Sequence, residues 1–386
     1  MKVDVRKERE SGIEFLKIIA MMMIVIAHTA QTFGGEHSNI LAFLHISSIC
    51  QDFFINSNVA TSNTQYLLIA LFRHFGALGN DIFFICSAWF LIDSHRFVGK
   101  KIIKMILDVW VISTLLLAIC YLFNFPISGK QMIKCFFPTT LASNWYITLY
   151  IIIYAIHPFL NMIINHLSAK KMLGMVLWGS FLYLIMGTVK HNLFFSSELI
   201  TYVVIYFNVA YVKKYLPVTS SNVKLNVIIG GCSLVIGICL ILVINNLGLH
   251  FSLFNNKLLH FDKNQNFLIV MSAFSLFNLF RHKVFIAQSI NKIANLTFFI
   301  YIIHENLLVR EIFRPIAFVW IKNYLGYGHI VIWILLFALF LFIMATIFSI
   351  GYKAFVGKVT EWISHRLYTF IMEYYGKIFS WVSRLK

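Results

Sequence analysis

Lys17 and His28 stand eleven positions apart in one apolar run. At about 100° per residue a helix brings them to the same face, and at about 1.5 Å per residue they lie some 16 Å apart along it. Ionisable groups inside a membrane helix are costly and usually functional. Glu14, one turn before Lys17, can pair with it. A cation near one end of such a helix can hold phosphates as a point charge. A histidine deeper in the run can serve as a general base. Two plainer readings stand beside these: Lys17 snorkels to lipid headgroups, or His28 is a hydrogen-bonded residue of the bundle.

A second group begins with Arg73 and His74 and continues through Gly76, Gly79, Asn80 and Asp81 to Ser87, Ala88 and Trp89. The glycines suggest a broken or kinked helix, and irregular backbone at membrane depth is tolerated where it lines a cavity. Arg73 can bind an anionic group or be neutralised by Asp81. Ser87 beside Ala88 suits close helix packing or catalysis. A third group is Tyr301, His304 and Glu305. Tyr301 and His304 are one turn apart on one face, at a depth expected to match His28. Two histidines and a carboxylate there make a polar site, or simply hydrogen bonds between helices.

The elements that must position these groups are membrane helices. Of 386 residues, 60% are hydrophobic and 12% charged, against about half and a quarter in a soluble domain. Apolar runs near the roughly 20 residues that cross a bilayer predict about ten spans, near 13–33, 66–92, 105–125, 144–166, 172–189, 198–212, 225–246, 265–280, 293–309 and 329–352. The fold class is therefore all-α, a polytopic integral membrane bundle. Three stretches follow: a segment 1–12, a membrane domain 13–352, and a tail 353–386. In the tail Val359, Trp362, Ile363, Phe370 and Ile371 recur at helical spacing among Lys358, Glu361 and Arg366, the pattern of an amphipathic helix on a membrane surface.

The formal net charge of +17 resides in short loops and follows membrane topology rather than nucleic acid, for which no motif appears. Lys and Arg gather at 2–9, 96–104, 170–171, 213–224, 281–292 and the tail, and the loop 34–65 has none. Both termini are thus expected in the cytosol, in a multi-pass plasma-membrane protein. No cleavable signal peptide is evident. Cys50, Cys86, Cys120, Cys135, Cys232 and Cys239 have no CxxC spacing and read as packing residues, with no metal site or disulfide framework.

The run from Ile13 to His28 resembles the opening helix of the membrane acyltransferase-3 family, with an acidic residue at Glu14, a basic one at Lys17 and histidine at position 28. Phe83-Phe84-Ile85-Cys86-Ser87 is similar to its second signature, with Ala88 where that family has glycine. Trp145 to Asn161, with Tyr150 and Pro158, resembles its central segment, and Tyr301 to His304 its late Tyr-Leu-Ile-His motif. The resemblance spans residues 13 to 304. It implies transfer of an acyl group, commonly acetyl from acetyl-CoA, to a hydroxyl of an extracytoplasmic glycan or related envelope molecule in bacteria.

On that basis acyl-CoA is a donor substrate and no cofactor is permanently bound. Its phosphates are expected at Lys17, with Arg73, Lys100 and Lys101 as further donor contacts. His28 and His304 are the candidate catalytic residues. Glu14, Ser87, Trp145, Tyr301 and Glu305 are candidates for substrate contact or support. The sequence leaves open direct transfer against an acyl-enzyme, the acceptor and the oligomeric state. A transporter or flippase of a glycan or lipid-linked substrate is the rival reading, disfavoured by the lack of an internal repeat and of acidic residues to couple ions.

Overall fold

The computed structural model describes residues 11–33, 63–94, 98–189, 197–251, 253–254, 261, 263–325 and 328–383, and every regular element among them is helical. Seven helices are long and apolar enough to cross a membrane. They belong to α1 (Ser11–Phe33), α2 (Asn63–Leu91), α3 (Gly99–Leu122), α5 (Trp145–His166), α6 (Ala169–Gly179, running on through a π turn to Val189), α8 (Val223–His250) and α13 (Ile330–Phe355). Between them lie α4 (Gly129–Phe136), α7 (Glu198–Tyr215), α9 (Phe267–Arg281), α10 (Gln288–Ala294), α11 (Thr297–His304) and α12 (Arg314–Leu325). The last helix is α14 (Gly357–Ser383). The spans expected at 198–212 and 265–280 are α7 and α9, which are shorter than the seven.

Helix α1 is the axis of the bundle and packs on α2, α9, α10, α11, α12 and α13. Leu16, Ala20, Met21, Ile24, Val25 and Ala27 are accordingly buried. In a bilayer the close approach of helices is driven by packing, and small residues permit it. At the α1–α2 crossing a Cβ on Gly76 would sit 2.8 Å from the Cβ of Ala27, and one on Gly79 would sit 2.7 Å from the carbonyl oxygen of Ala20. The expected break at these glycines is therefore corrected. Helix α2 runs unbroken from Asn63 to Leu91, and the glycines serve interhelical contact. That contact brings Arg73, one turn from Gly76, to the His28 end of α1.

The irregular backbone lies elsewhere. The single span expected at 293–309 is interrupted after Ala294 and again after His304, and a π turn, Val309–Phe313, leads into α12. Glu305 ends α11, and Asn306 then holds the chain: its side-chain oxygen accepts from Leu308 N at 3.0 Å and its amide donates to Ser113 Oγ at 3.1 Å. The break frees Glu305 and Asn306 from the helical face so that both side chains turn into the bundle, where both are buried.

Helix α14 occupies the tail. Thr360 and Ser364 are buried, whereas Trp362, Phe370 and Ile371 are exposed along with Glu361. Cys86, Cys120 and Cys135 are buried, Cys232 and Cys239 are exposed, and Cys50 lies outside the described residues.

Candidate active site

His28 from α1 and His304 from α11 meet in the centre of the bundle, their rings stacked with centroids 5.4 Å apart. His304 Nδ1 faces the Ile300 carbonyl at 2.8 Å. A carbonyl only accepts, so this nitrogen carries the hydrogen and leaves Nε2 with a lone pair. That Nε2 lies 3.2 Å from His28 Nδ1, and Glu305 Oε2 lies 2.9 Å from the same atom. His28 Nδ1 thus faces two acceptors and is the donor to both. The network assigns its tautomer and leaves Nε2 as the lone pair of the ring.

Glu305 is fixed from behind. Arg314 Nη2 donates to its Oε2 at 2.9 Å and Arg310 Nη1 to its Oε1 at 3.1 Å. Arg314, only 1% exposed, also donates from Nη1 to the His28 carbonyl at 2.8 Å, so one guanidinium clamps both members of the pair. Arg310 in turn lies 3.8 Å from Glu311, which accepts from Gln131 of α4 at 2.8 Å. Buried charges persist where they are paired and hydrogen-bonded. This cluster meets that condition with two guanidiniums on one carboxylate.

The donor atoms of His28, His304 and Glu305 fall within 4.8 Å of one another, a spacing that would also suit a metal ion. Glu305 Oε2 is already the acceptor of Arg314 and its Oε1 of Arg310, so two guanidiniums already meet the charge of the carboxylate.

Two clefts reach toward this cluster. One, of about 320 Å³, is lined by His28, Glu305 and Arg310 and also by Arg73, Trp145 and Glu198. The other, of about 390 Å³, is lined by Lys17, Lys101, Lys104 and Asp108 with Ser87 and Tyr150. Tyr146 lines the second cleft and its ring lies 5.4 Å from that of Tyr301, which is 5.4 Å from His304 and 6.4 Å from His28. The two tyrosines form the partition between the lysine cleft and the histidine cluster. The Tyr301 hydroxyl is buried and has no hydrogen-bond partner among the described residues.

The residues singled out in the sequence divide between these clefts. Lys17 pairs with Glu14 at 3.4 Å and lies over the Phe90 ring. Lys101 shares its cleft and lies over Tyr154. Arg73 does not join them; it lines the His28 cleft, with Trp145. Lys100 lies 3.6 Å from Glu361 of α14 and lines neither cleft. Ser87 lines the lysine cleft, its Oγ donating to the Phe83 carbonyl at 3.0 Å, which separates it from the histidine pair.

Three contributors went unread in the sequence. Asp108, 2% exposed, accepts from Lys104 at 2.7 Å, Tyr352 at 2.9 Å and Thr360 at 2.8 Å. It joins α3, α13 and α14 at the wall of the lysine cleft. As the one acid in the apolar run 105–125 it carried a signal, because intramembrane carboxylates are rarely idle. Arg310 and Arg314 read only as loop charges. Their spacing after Glu305 gave the clue, but the break after His304 that turns them inward did not show.

Residues 10–353 match the family model of an acyltransferase domain. No curated protein and no solved structure matches the chain. The matched stretch contains both clefts and every residue of the histidine–glutamate cluster, and it establishes that this chain belongs to the acyltransferase-3 family and is an acyltransferase.

Proposed function

We propose that the protein is an integral membrane O-acyltransferase of the bacterial plasma membrane. It moves an acyl group, with acetyl as the default, from cytosolic acyl-CoA to a hydroxyl of an extracytoplasmic glycan or envelope molecule. The termini are cytosolic, α7, α9 and the α10–α11 pair complete about ten passages, and α14 lies along the cytosolic leaflet with Trp362 and Phe370 toward lipid.

The observation that carries this reading is the bond between His28 Nδ1 and Glu305 Oε2 at 2.9 Å, set about three turns of α1 from the lysine cleft. The lysine cleft receives the phosphates of the donor at Lys17, Lys101 and Lys104. The thioester reaches past Tyr146 toward His28, and the acceptor enters the opposite cleft. His28 Nε2 removes the acceptor hydroxyl proton as its oxygen attacks the thioester carbon. Glu305 holds the ring in the required tautomer and stabilises the imidazolium. The Tyr301 hydroxyl serves as a donor to the developing oxyanion. The carbon–sulfur bond then breaks, and the thiolate takes the proton from His28.

The test is transfer of labelled acetyl from acetyl-CoA to an envelope glycan by the full chain in proteoliposomes, with donor and acceptor on opposite sides. Label in the glycan supports the reading. Movement of the glycan across the bilayer without acylation would point to a transporter.

A further inference from the structure

We infer that Gln131 and Glu311 are positioning residues for acyl transfer: together they hold Arg310, and through it Glu305, at His28. This inference rests on the proposed function and concerns side chains that touch neither the thioester nor the hydroxyl. Helix α4 is short, and it buries Gln131 and Cys135, one turn apart, while Ile133 and Phe136 are exposed. A buried amide is costly unless it is hydrogen-bonded. The side-chain oxygen of Gln131 accepts from Ser128 N at 2.9 Å and from Ser128 Oγ at 3.0 Å, closing the cap of α4. Its nitrogen donates to Glu311 Oε2 at 2.8 Å. A backbone N–H only donates and an ionised carboxylate only accepts, so the two partners assign the orientation of the amide.

Arg310 and Glu311 are consecutive residues in the π turn Val309–Phe313. The arginine fork bridges two carboxylates: Nη1 lies 3.1 Å from Glu305 Oε1, and Nη2 lies 3.8 Å from Glu311 Oε1. Arg310 also lines the His28 cleft. Its side chain is long and rotatable, and ordering such a chain costs entropy. A contact to Glu305 alone leaves it free to swing into the cleft. The second carboxylate, itself held by Gln131, makes the bridge rigid. Arg314 takes Glu305 Oε2 and Arg310 takes Oε1, so the second anchor fixes the rotation of the carboxylate whose Oε2 meets His28 Nδ1 at 2.9 Å. A role in the cap alone would be served as well by glutamate, which is equally at home at this place in a capping box. The link to Glu311 would not, because two carboxylates would then face each other.

The experiment measures acetyl transfer by the full chain in proteoliposomes at saturating acetyl-CoA, with donor affinity read by calorimetric titration and folding by the melting temperature. Gln131→Glu should lower transfer by roughly tenfold, within the range of coupling inside one hydrogen-bond network. Its affinity for acetyl-CoA and its melting temperature should stay close to those of the unaltered protein. Gln131→Glu combined with Glu311→Gln reverses the pair, again sets an amide against a carboxylate, and should regain most of the loss. Undiminished transfer by Gln131→Glu, an equal loss in the reversed pair, or a loss matched by a fall in donor affinity or melting temperature would each overturn the inference. Absence of transfer by the unaltered protein would overturn the proposed function and this inference with it. Transfer by the unaltered protein that Gln131→Glu leaves intact would remove only the positioning role.

Discussion

His28 Nδ1 lies 2.9 Å from Glu305 Oε2, with Arg314 bonded to both the glutamate carboxylate and the histidine carbonyl. The distance fixes which nitrogen of His28 can act, because a ring whose Nδ1 donates to a carboxylate presents its lone pair at Nε2. Glu305→Gln should therefore lower acyl transfer by about 10²–10⁴ while leaving donor affinity intact. Steady-state rates beside acetyl-CoA titration separate the two quantities. A Glu305→Gln protein with unchanged rate would mean that the carboxylate serves only to neutralise the arginines.

Arg314 illustrates a buried charge kept for its partner. Removing one member of a buried pair typically costs about 3–5 kcal/mol, because the other charge is left uncompensated. Arg314→Ala should thus markedly lower the melting temperature in detergent, and Arg314→Lys should recover part of the loss. Here Glu305 retains Arg310, which places the effect at the lower end of that range. A full melting temperature in Arg314→Ala would show that the clamp contributes nothing to the fold.

Much of this arrangement was legible in the sequence because each signal was local. Lys17 and His28 sit on one uninterrupted helix, so their spacing alone gave face and separation. The apolar runs gave the seven long helices, since a bilayer imposes length. What escaped reading depends on pairing between distant segments. Gly76 and Gly79 look like a hinge until Ala27 and Ala20 are seen against them. The interruption on either side of α11 is invisible in a continuous apolar run, yet it turns Glu305, Arg310 and Arg314 toward His28. Arg73 was assigned to the donor because it is basic, but the α1–α2 crossing delivers it to the opposite cleft.

Lys17 is the test of the donor side. If it contacts phosphate, Lys17→Ala should weaken acetyl-CoA binding by about tenfold to a hundredfold, a charge-assisted contact being worth about 1.5–3 kcal/mol. Lys17→Arg should retain much of the affinity. Lys104 shares the cleft but is already bonded to Asp108, so Lys104→Ala should weaken binding less. Calorimetric titration decides the order, and unchanged affinity in Lys17→Ala would leave Lys17 as a snorkelling residue paired with Glu14.

The central claim is that His28 is the base, and the rate of acyl transfer by purified His28→Ala tests it most directly. Loss of a general base alone costs about 10²–10⁴ in rate. The variant should therefore lose transfer by at least about a hundredfold while keeping its detergent melting temperature near that of the unaltered protein and its affinity for acetyl-CoA. His304→Ala, equally buried, is the comparison and should fall less, because its Nε2 only accepts from His28 Nδ1. Transfer by well-folded His28→Ala within about threefold of the unaltered rate is incompatible with a general base at this position, and would contradict the account.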